Sequence, residues 1–406
     1  MGRVKGIDDV ISGNLCSGCG ACSAVFPDTY EMVDDIQVGR RPKIIGSDIR
    51  SHQNSLDICP GGQLHDSDGR NGTDGLWGEV IKVYEAYASD SSIRNKGSSG
   101  GVLTALSLFA VEEGIVDGVV NIQSDPKSPI KNLSTLSENK DSIIASAGSR
   151  YIASSPCEEL RAEPSKKKNV LFVGKPCDSY AASRLKLNNY DHLHTIVLNL
   201  SFFCAGTPSY TGNAELIKKE GLSPENISSL KFRGNGWPGL WTAISDSGES
   251  KTLTYHDSWG YLQKYRQWRC YICPDHTGEY SDISVGDPWY KGVDSDNEGM
   301  SLVVIRTKAG ADFFDEAVRK GRITISKQDN QLLPLSQPNL GKAKGQVWGR
   351  LVAMRLLGME IPIYSGFNLF SIWSSELSFR DKLGSIFGTV KRLIKKKLYC
   401  SYSVDK

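Results

Sequence analysis

Three cysteines separated by two residues each, Cys16-Ser17-Gly18-Cys19-Gly20-Ala21-Cys22, constrain this chain more than any other feature. At that spacing three thiolates can converge on three corners of an iron–sulfur cubane, and the glycines let the backbone follow a tight path around it. The standard run continues to a fourth cysteine ahead of a proline, and that cysteine ligates the other cluster of a two-cluster domain. Phe26-Pro27 stands there instead. The spacing therefore predicts one four-iron cluster, which still needs a distant Cys-Pro ligand, and Cys59-Pro60 supplies it. Cys16, Cys19, Cys22 and Cys59 form the first expected ligand set. Zinc is the bland alternative, since four thiolates suit it equally. The triple spacing and the Cys-Pro step favour iron and sulfide. His52 and His65 read as surface-loop residues.

The chain has 406 residues and ten cysteines in all. Residues 1–13 lack the apolar core of a secretion signal, and Gly6 stands where a myristoylation site needs Ser or Thr. The longest apolar runs, near 101–111 and 196–203, are too short to span a bilayer. A cytoplasmic location is expected, where cysteines ligate rather than pair. Hydrophobic content of 39% and charged content of 23% suit a globular protein. A net charge of +2 gives no reason to expect nucleic acid as a partner.

A second set of four thiols is available. Cys177 lies in the turn Gly174-Lys175-Pro176-Cys177 after a strand at 169–173, and Cys204 follows a strand at 195–203. In a parallel pair both would sit at carboxyl ends, where α/β proteins place ligands. Cys270-Tyr-Ile-Cys273 adds a chelating pair. From spacing alone an iron–sulfur site, a zinc site and unrelated cysteines all stay open. Cys157 and Cys400 have no partners in the pattern and read as non-ligands.

The rest of the chain reads as a mixed α/β (α+β) fold in four sections. Residues 1–75 form a small ferredoxin-like lobe that ends in a polar linker at 66–75. Residues 76–165 begin the core, 166–330 complete it, and 331–406 are a helical extension. Strands at 80–88, 116–122, 169–173 and 195–203 alternate with helices at 100–113, 179–187 and 210–220, followed by shorter strands including 283–285 and 302–305. The charged stretch 158–168 reads as a surface connection. At the end, Leu383, Ile386, Phe387, Val390 and Ile394 recur at helical spacing among Lys391, Arg392, Lys395, Lys396 and Lys397. The expectation is a helix packed on its own domain, with weak contact to a membrane surface as the alternative.

Two loops invite an anion. Lys96-Gly97-Ser98-Ser99-Gly100-Gly101 precedes an apolar helix, where backbone amides and hydroxyls can hold a phosphate. It is neither a Walker motif nor a dinucleotide fingerprint. Gly148-Ser149-Arg150-Tyr151 offers a cation and an aromatic ring. On local grounds a helix cap and a surface turn are the leading readings of these two loops.

Several segments together resemble the beta-subunit family of coenzyme F420 hydrogenases and dehydrogenases: 97–106 (GSSGGVLTAL), 148–152 (GSRYI), 174–178 (GKPCD), 202–205 (FFCA) and 269–289 (RCYICPDHTGEYSDISVGDPW). Similar proteins include 7-hydroxymethyl chlorophyll a reductase and bacterial members of surface-polysaccharide pathways, which 347–367 (VWGRLVAMRLLGMEIPIYSGF) resembles most. The resemblance implies that Cys177, Cys204, Cys270 and Cys273 hold a second four-iron cluster. It implies a flavin, FAD with FMN as the alternative, held by Lys96, Gly97, Ser98, Ser99, Gly100 and Gly101, by Ser149, Arg150 and Tyr151, and by Lys175. It implies an electron path from an outside donor, a ferredoxin-type protein or a reduced deazaflavin, through both clusters to the flavin. Clusters pass single electrons, whereas a flavin can collect two and deliver a hydride to a small organic or sugar substrate. A non-catalytic electron-transfer subunit and a zinc-stabilised binding module are the rival readings. Asp275, His276 and Asp287 stand near the second set without an assigned role.

Overall fold

The computed structural model describes residues 2–47, 55–65, 75–292 and 298–404. His52 and nearly all of the expected linker lie outside them. The strands run in chain order as β1 (Tyr30–Asp35), β2 (Gly39–Ile44), β3 (Gln63–Leu64), β4 (Lys82–Ala88), β5 (Gly118–Asp125), β6 (Ser128–Ser137), β7 (Asn169–Gly174), β8 (Thr195–Phe202), β9 (Ile227–Lys231), β10 (Leu240–Ser245), β11 (Ser250–Thr254), β12 (Ile283–Gly286), β13 (Ser301–Ile305), β14 (Ile323–Gln328) and β15 (Ile363–Tyr364). An eight-stranded sheet in the order β14-β4-β13-β12-β8-β7-β5-β6 organises the molecule. Its middle strands β12, β8, β7 and β5 are parallel, and the flanking strands run antiparallel. The α/β expectation is met, with more antiparallel edge than the alternation suggested.

Burial on both faces explains the apolar runs in the middle of the sheet. Along β7, Val170 and Phe172 join one core and Leu171 the other, as a two-residue period requires. One face is covered by the helices Val102–Glu112 and Lys308–Arg319, through Leu106, Phe109, Phe313 and Phe314. The other face carries the helix Pro176–Asn188 through Ala181, Ala182 and Leu185, with Ala21, Ala24, Val25 and Ile58 beyond it. Proline at the first position of Pro176–Asn188 starts that helix at the end of β7, and Asn189 ends it in the left-handed region (φ 46°). The ends of β7, β8 and β12 therefore open on one side, with Lys175, Phe203 and Asp287 just past them.

The first and last sections of the chain share a core. Val4, Ile7, Val10 and Leu15 pack with Cys16, Cys22 and Cys59, and also with Met354, Ile361 and Leu393. β15 pairs in parallel with β3, and Arg3 bridges to Ile361. The stretch expected to be a surface connection is partly interior. Pro156–Leu160 forms a 3-10 turn with Cys157 and Leu160 fully buried, and Glu158 pairs with Arg40 at 2.6 Å. The cause is the short helix Ala21–Val25, which packs on that turn.

The last helix, Phe379–Lys395, reverses the expectation for its faces. Ser385, Thr389 and Leu393 are buried, whereas Phe379, Leu383, Phe387 and Ile394 are 77%, 41%, 65% and 53% exposed. Small residues decide this packing. Gly349 on the helix Leu340–Leu356 lies so close to Ser385 that a Cβ there would collide with it, and Trp373 donates to the Ser385 hydroxyl at 3.2 Å. Among the described residues, no helix is long and apolar enough to cross a membrane.

Candidate metal and cofactor site

Cys16, Cys19, Cys22 and Cys59 are each 7–8% exposed and carry free thiols. Gly18 and Gly20 have φ of +77° and +85°, which lets the loop turn between the cysteines, and the Gly18 amide donates to Cys16 Sγ at 3.3 Å. Burial pushes the Cys16, Cys22 and Cys59 thiols up. Cys19, Cys16 and Cys59 add to the push on Cys22, and Cys19 and Cys16 to that on Cys59. Cys19 moves down instead, chiefly because the Cys157 thiol donates to it. Cys157 is thus not the isolated residue of the sequence reading. Its amide donates to the Cys19 carbonyl at 3.0 Å, and its sulfur lies 3.9 Å from the Asp178 carbonyl oxygen.

The thiols of the second set influence one another in the same way. Burial pushes Cys177 well up, Cys204 to about 12 and Cys273 to about 11. Cys204 and Cys273 reinforce the effect on Cys177, and Cys270 and Cys273 that on Cys204. Backbone amides reach two of the sulfurs, Gly206 to Cys204 at 3.4 Å and Thr207 to Cys270 at 3.3 Å. Asp275 organises the loop that follows, accepting from the amides of Thr277, Gly278 and Glu279 at 3.0, 2.8 and 3.0 Å. His276 is tied through Nδ1 to the Cys204 carbonyl at 3.1 Å.

Buried donors without a partner among the described residues stand around both sets: Ser17 Oγ, Arg41 Nε, Trp268 Nε1, and Nε and Nη1 of Arg269. Arg41 perturbs Cys16, and Trp268 packs in the core that holds Cys16, Cys22 and Cys59. Orphaned donors beside raised thiols fit an anionic group with acceptor atoms of its own, such as an iron–sulfur cluster, whose metal takes the thiol protons' place. Among the described residues, no group of three His, Cys, Asp or Glu side chains is placed to hold a single metal ion.

A cavity of about 430 Å³ opens at the carboxyl ends of the parallel strands. Gly97, Ser98, Ser99 and Gly101 line it, as do Ser149, Arg150, Tyr151 and Lys175. Lys96 and Gly100 are not in its wall; Gly100 is turned toward Ser301, whose hydroxyl accepts its amide at 2.9 Å. The amino end of the helix Val102–Glu112 enters the cavity and brings its positive dipole end. The two anion-seeking loops are joined, Ser149 N donating to Ser98 Oγ. The two expected cations that do line it are both occupied. Arg150 donates to the carbonyls of Leu230 at 3.0 Å and Pro129 at 2.7 Å and ties β9 to β6. Lys175 is buried against Asp178 at 2.6 Å. The Ser99 hydroxyl is paired with that of Ser301 at 2.8 Å, and the Ser98 hydroxyl proton and the helix end are left to meet an anion.

One wall was missed in the sequence. Arg233 is buried and makes two hydrogen bonds to Asp287, at 2.8 and 2.7 Å, and Trp237 Nε1 donates to the same carboxylate at 2.8 Å. The Arg233 guanidinium lies 5.0 Å from the centre of the Tyr255 ring, which stacks on Trp289 at 5.2 Å. The β9–β10–β11 sheet and the segment after β12 supply this wall. The run Arg233-Gly234-Asn235-Gly236-Trp237-Pro238-Gly239 was the available signal, since Gly-rich loops with aromatics approach ligands closely. Flat aromatic faces, oriented amides and a helix end together suit a planar cofactor with an anionic tail. Cys204 lines the same cavity, so a thiol of the second set borders it directly.

Two family models match the chain. The amino-terminal model of the coenzyme F420 hydrogenase/dehydrogenase beta subunit covers residues 83–161, and the carboxyl-terminal model of the same subunit covers residues 167–331. An uncharacterised protein of Methanocaldococcus jannaschii is 28% identical over 79% of this chain and 91% of its own length. The coenzyme F420 hydrogenase subunit beta of Methanococcus voltae is 25% identical over 70% of this chain and 99% of its own. A chain of the F420-reducing NiFe hydrogenase complex from Methanosarcina barkeri shares the fold with a TM-score of 0.52 at 24% identity, over 68% of this chain and 94% of that one.

Proposed function

The chain belongs to the coenzyme F420 hydrogenase/dehydrogenase beta-subunit family, and on that premise we propose that it is an oxidoreductase subunit joining two four-iron clusters to a flavin. Cys16, Cys19, Cys22 and Cys59 would hold the outer cluster, and Cys177, Cys204, Cys270 and Cys273 the inner one. The 430 Å³ cavity is the flavin site, of a size usual for cofactor pockets. The observation that carries the reading is the place of Cys204, grouped with the second thiol set and bordering that cavity.

Ser98, Ser99 and Ser149 would meet the anionic part of the cofactor, with the helix dipole behind them. Tyr255 and Trp289 offer faces on which a ring can lie, and Asp287 keeps Arg233 beside them. Lys175 and Asp178 hold the turn that carries Cys177. A bound flavin supplies the change from one-electron to two-electron chemistry. The relatives' names put coenzyme F420 first among the organic partners, ahead of the sugar substrate suggested by 347–367. Their description as subunits favours a partner protein at the outer cluster.

The test is anaerobic purification with iron, acid-labile sulfide, zinc and flavin counted per chain. About eight irons with matching sulfide and one flavin are expected. Reduced coenzyme F420 should then bleach the flavin. About four irons without flavin would leave a simple electron-transfer protein. Colourless protein with zinc would end the redox reading.

A further inference from the structure

Arg269 lies between the two thiol sets, and its surroundings do not account for its charge. It is 2% exposed, and no carboxylate pairs with it among the described residues. One donor is used, Nη2 to the Pro60 carbonyl at 2.7 Å, next to Cys59 of the outer set. Nε and Nη1 have no acceptor among the described residues. The ring of Tyr364 is 5.5 Å away, and the thiols of Cys273, Cys177 and Cys270 are close enough to perturb the guanidinium. The short helix Trp268–Tyr271 sets this arrangement: Trp268 packs with the outer cysteines, and Cys270 belongs to the inner set.

A buried guanidinium without a counter-charge is costly, and structures keep one where an anion meets it. The inner set, loaded with iron and sulfide, is that anion, and it gains a further negative charge on reduction. A fixed cationic donor at its sulfurs stabilises the reduced form more than the oxidised one, which raises the potential. The bond to Pro60 fixes the guanidinium while leaving Nε and Nη1 for the inner side.

We propose that Arg269 is a positioning residue that raises the reduction potential of the inner cluster. The inference rests on the two-cluster reading above. One electron leaves the reduced outer cluster and one enters the oxidised inner cluster; no bond forms or breaks and no proton moves. The Arg269 charge favours arrival of the electron at the cluster beside the cavity. Arg41 is the counterpart beside Cys16: two of its donors go to the Arg40 carbonyl and Gln267, and its Nε, like that of Arg269, has no acceptor among the described residues, so the outer set has a buried cation of its own.

The experiment is an EPR-monitored reductive titration with dithionite of the anaerobically purified protein and of Arg269→Gln and Arg269→Lys. Cys59→Ala, which lacks an outer ligand, assigns the inner signal. All three Arg269 forms should retain about eight irons. The inner signal in Arg269→Gln should move to clearly more negative potential, the outer signal should move less, and Arg269→Lys should recover most of the difference. Unchanged potentials in Arg269→Gln, equal shifts of both signals, or loss of iron from both variants would overturn the proposal. A parent protein with fewer than about eight irons would instead count against the two-cluster reading, before any variant is made.

Discussion

Asp287 and Arg233 are 54 positions apart, and no spacing links them, yet their two hydrogen bonds build one wall of the cavity. Asp287→Ala leaves a buried guanidinium without its counter-charge, so it should cost about 3–5 kcal/mol in denaturant unfolding, whereas an exposed pair would cost under about 1 kcal/mol. The cysteines behave oppositely. Chelating spacing is local, so Cys16, Cys19, Cys22 and the Cys-Pro step could be read from the chain, and the structure buries all four. Cys157 could not be placed, because its neighbours Cys19 and Asp178 come from other segments. Iron analysis separates ligand from neighbour. Cys59→Ala should fall from about eight irons to about four, while Cys157→Ala should keep them all.

At the scale of elements, periodicity found the helices but not always their buried sides. In Phe379–Lys395 the apolar stripe is the plausible core face on hydropathy alone. The close approach of Gly349 and Ser385 gave the contact to small residues instead, and steric fit between helices is not written in one helix's pattern. Leu393→Ala should therefore lower stability by about 2–5 kcal/mol, and Phe387→Ser by no more than about 0.5 kcal/mol; urea unfolding of both tests the orientation. The loop at the cavity depends on a cap as well. Asp90 accepts from the amides of Ser92 and Ile93 at the start of Ser91–Lys96, the helix leading into Gly97–Gly101. Hydrogen bonds from Ser92 and the helix amides hold its carboxyl below the usual range. A depressed folded value means that the contribution is present above the unfolded pKa and is lost as pH falls through the folded one. Asp90→Ala should cost about 1 kcal/mol at neutral pH, and the difference from the parent should vanish on acidification past that range.

The whole molecule encloses its outer thiols with both ends of the chain. Composition and spacing marked a cysteine-rich beginning and a helical end as separate sections. Only tertiary packing shows that Val10, Leu15 and Cys22 share a core with Met354, Ile361 and Leu393, because contacts over more than 300 residues leave no local trace. The outer set thus has a wall contributed from each end, in which Ile361 takes part, whereas the inner set rests chiefly on the central sheet and on residues 266–273, which the carboxyl-terminal section reaches through Arg350 and Tyr364. Thinning the carboxyl-terminal wall should therefore open one cluster and spare the other. With Ile361→Ala, which removes a buried side chain beside β15, an iron chelator should strip about four irons markedly faster than from the parent and release the remaining four at the parent's rate. The time course of chelated iron, followed anaerobically, reads both phases. Uniform acceleration of all the iron would mean that the wall supports the molecule as a whole rather than shielding one site.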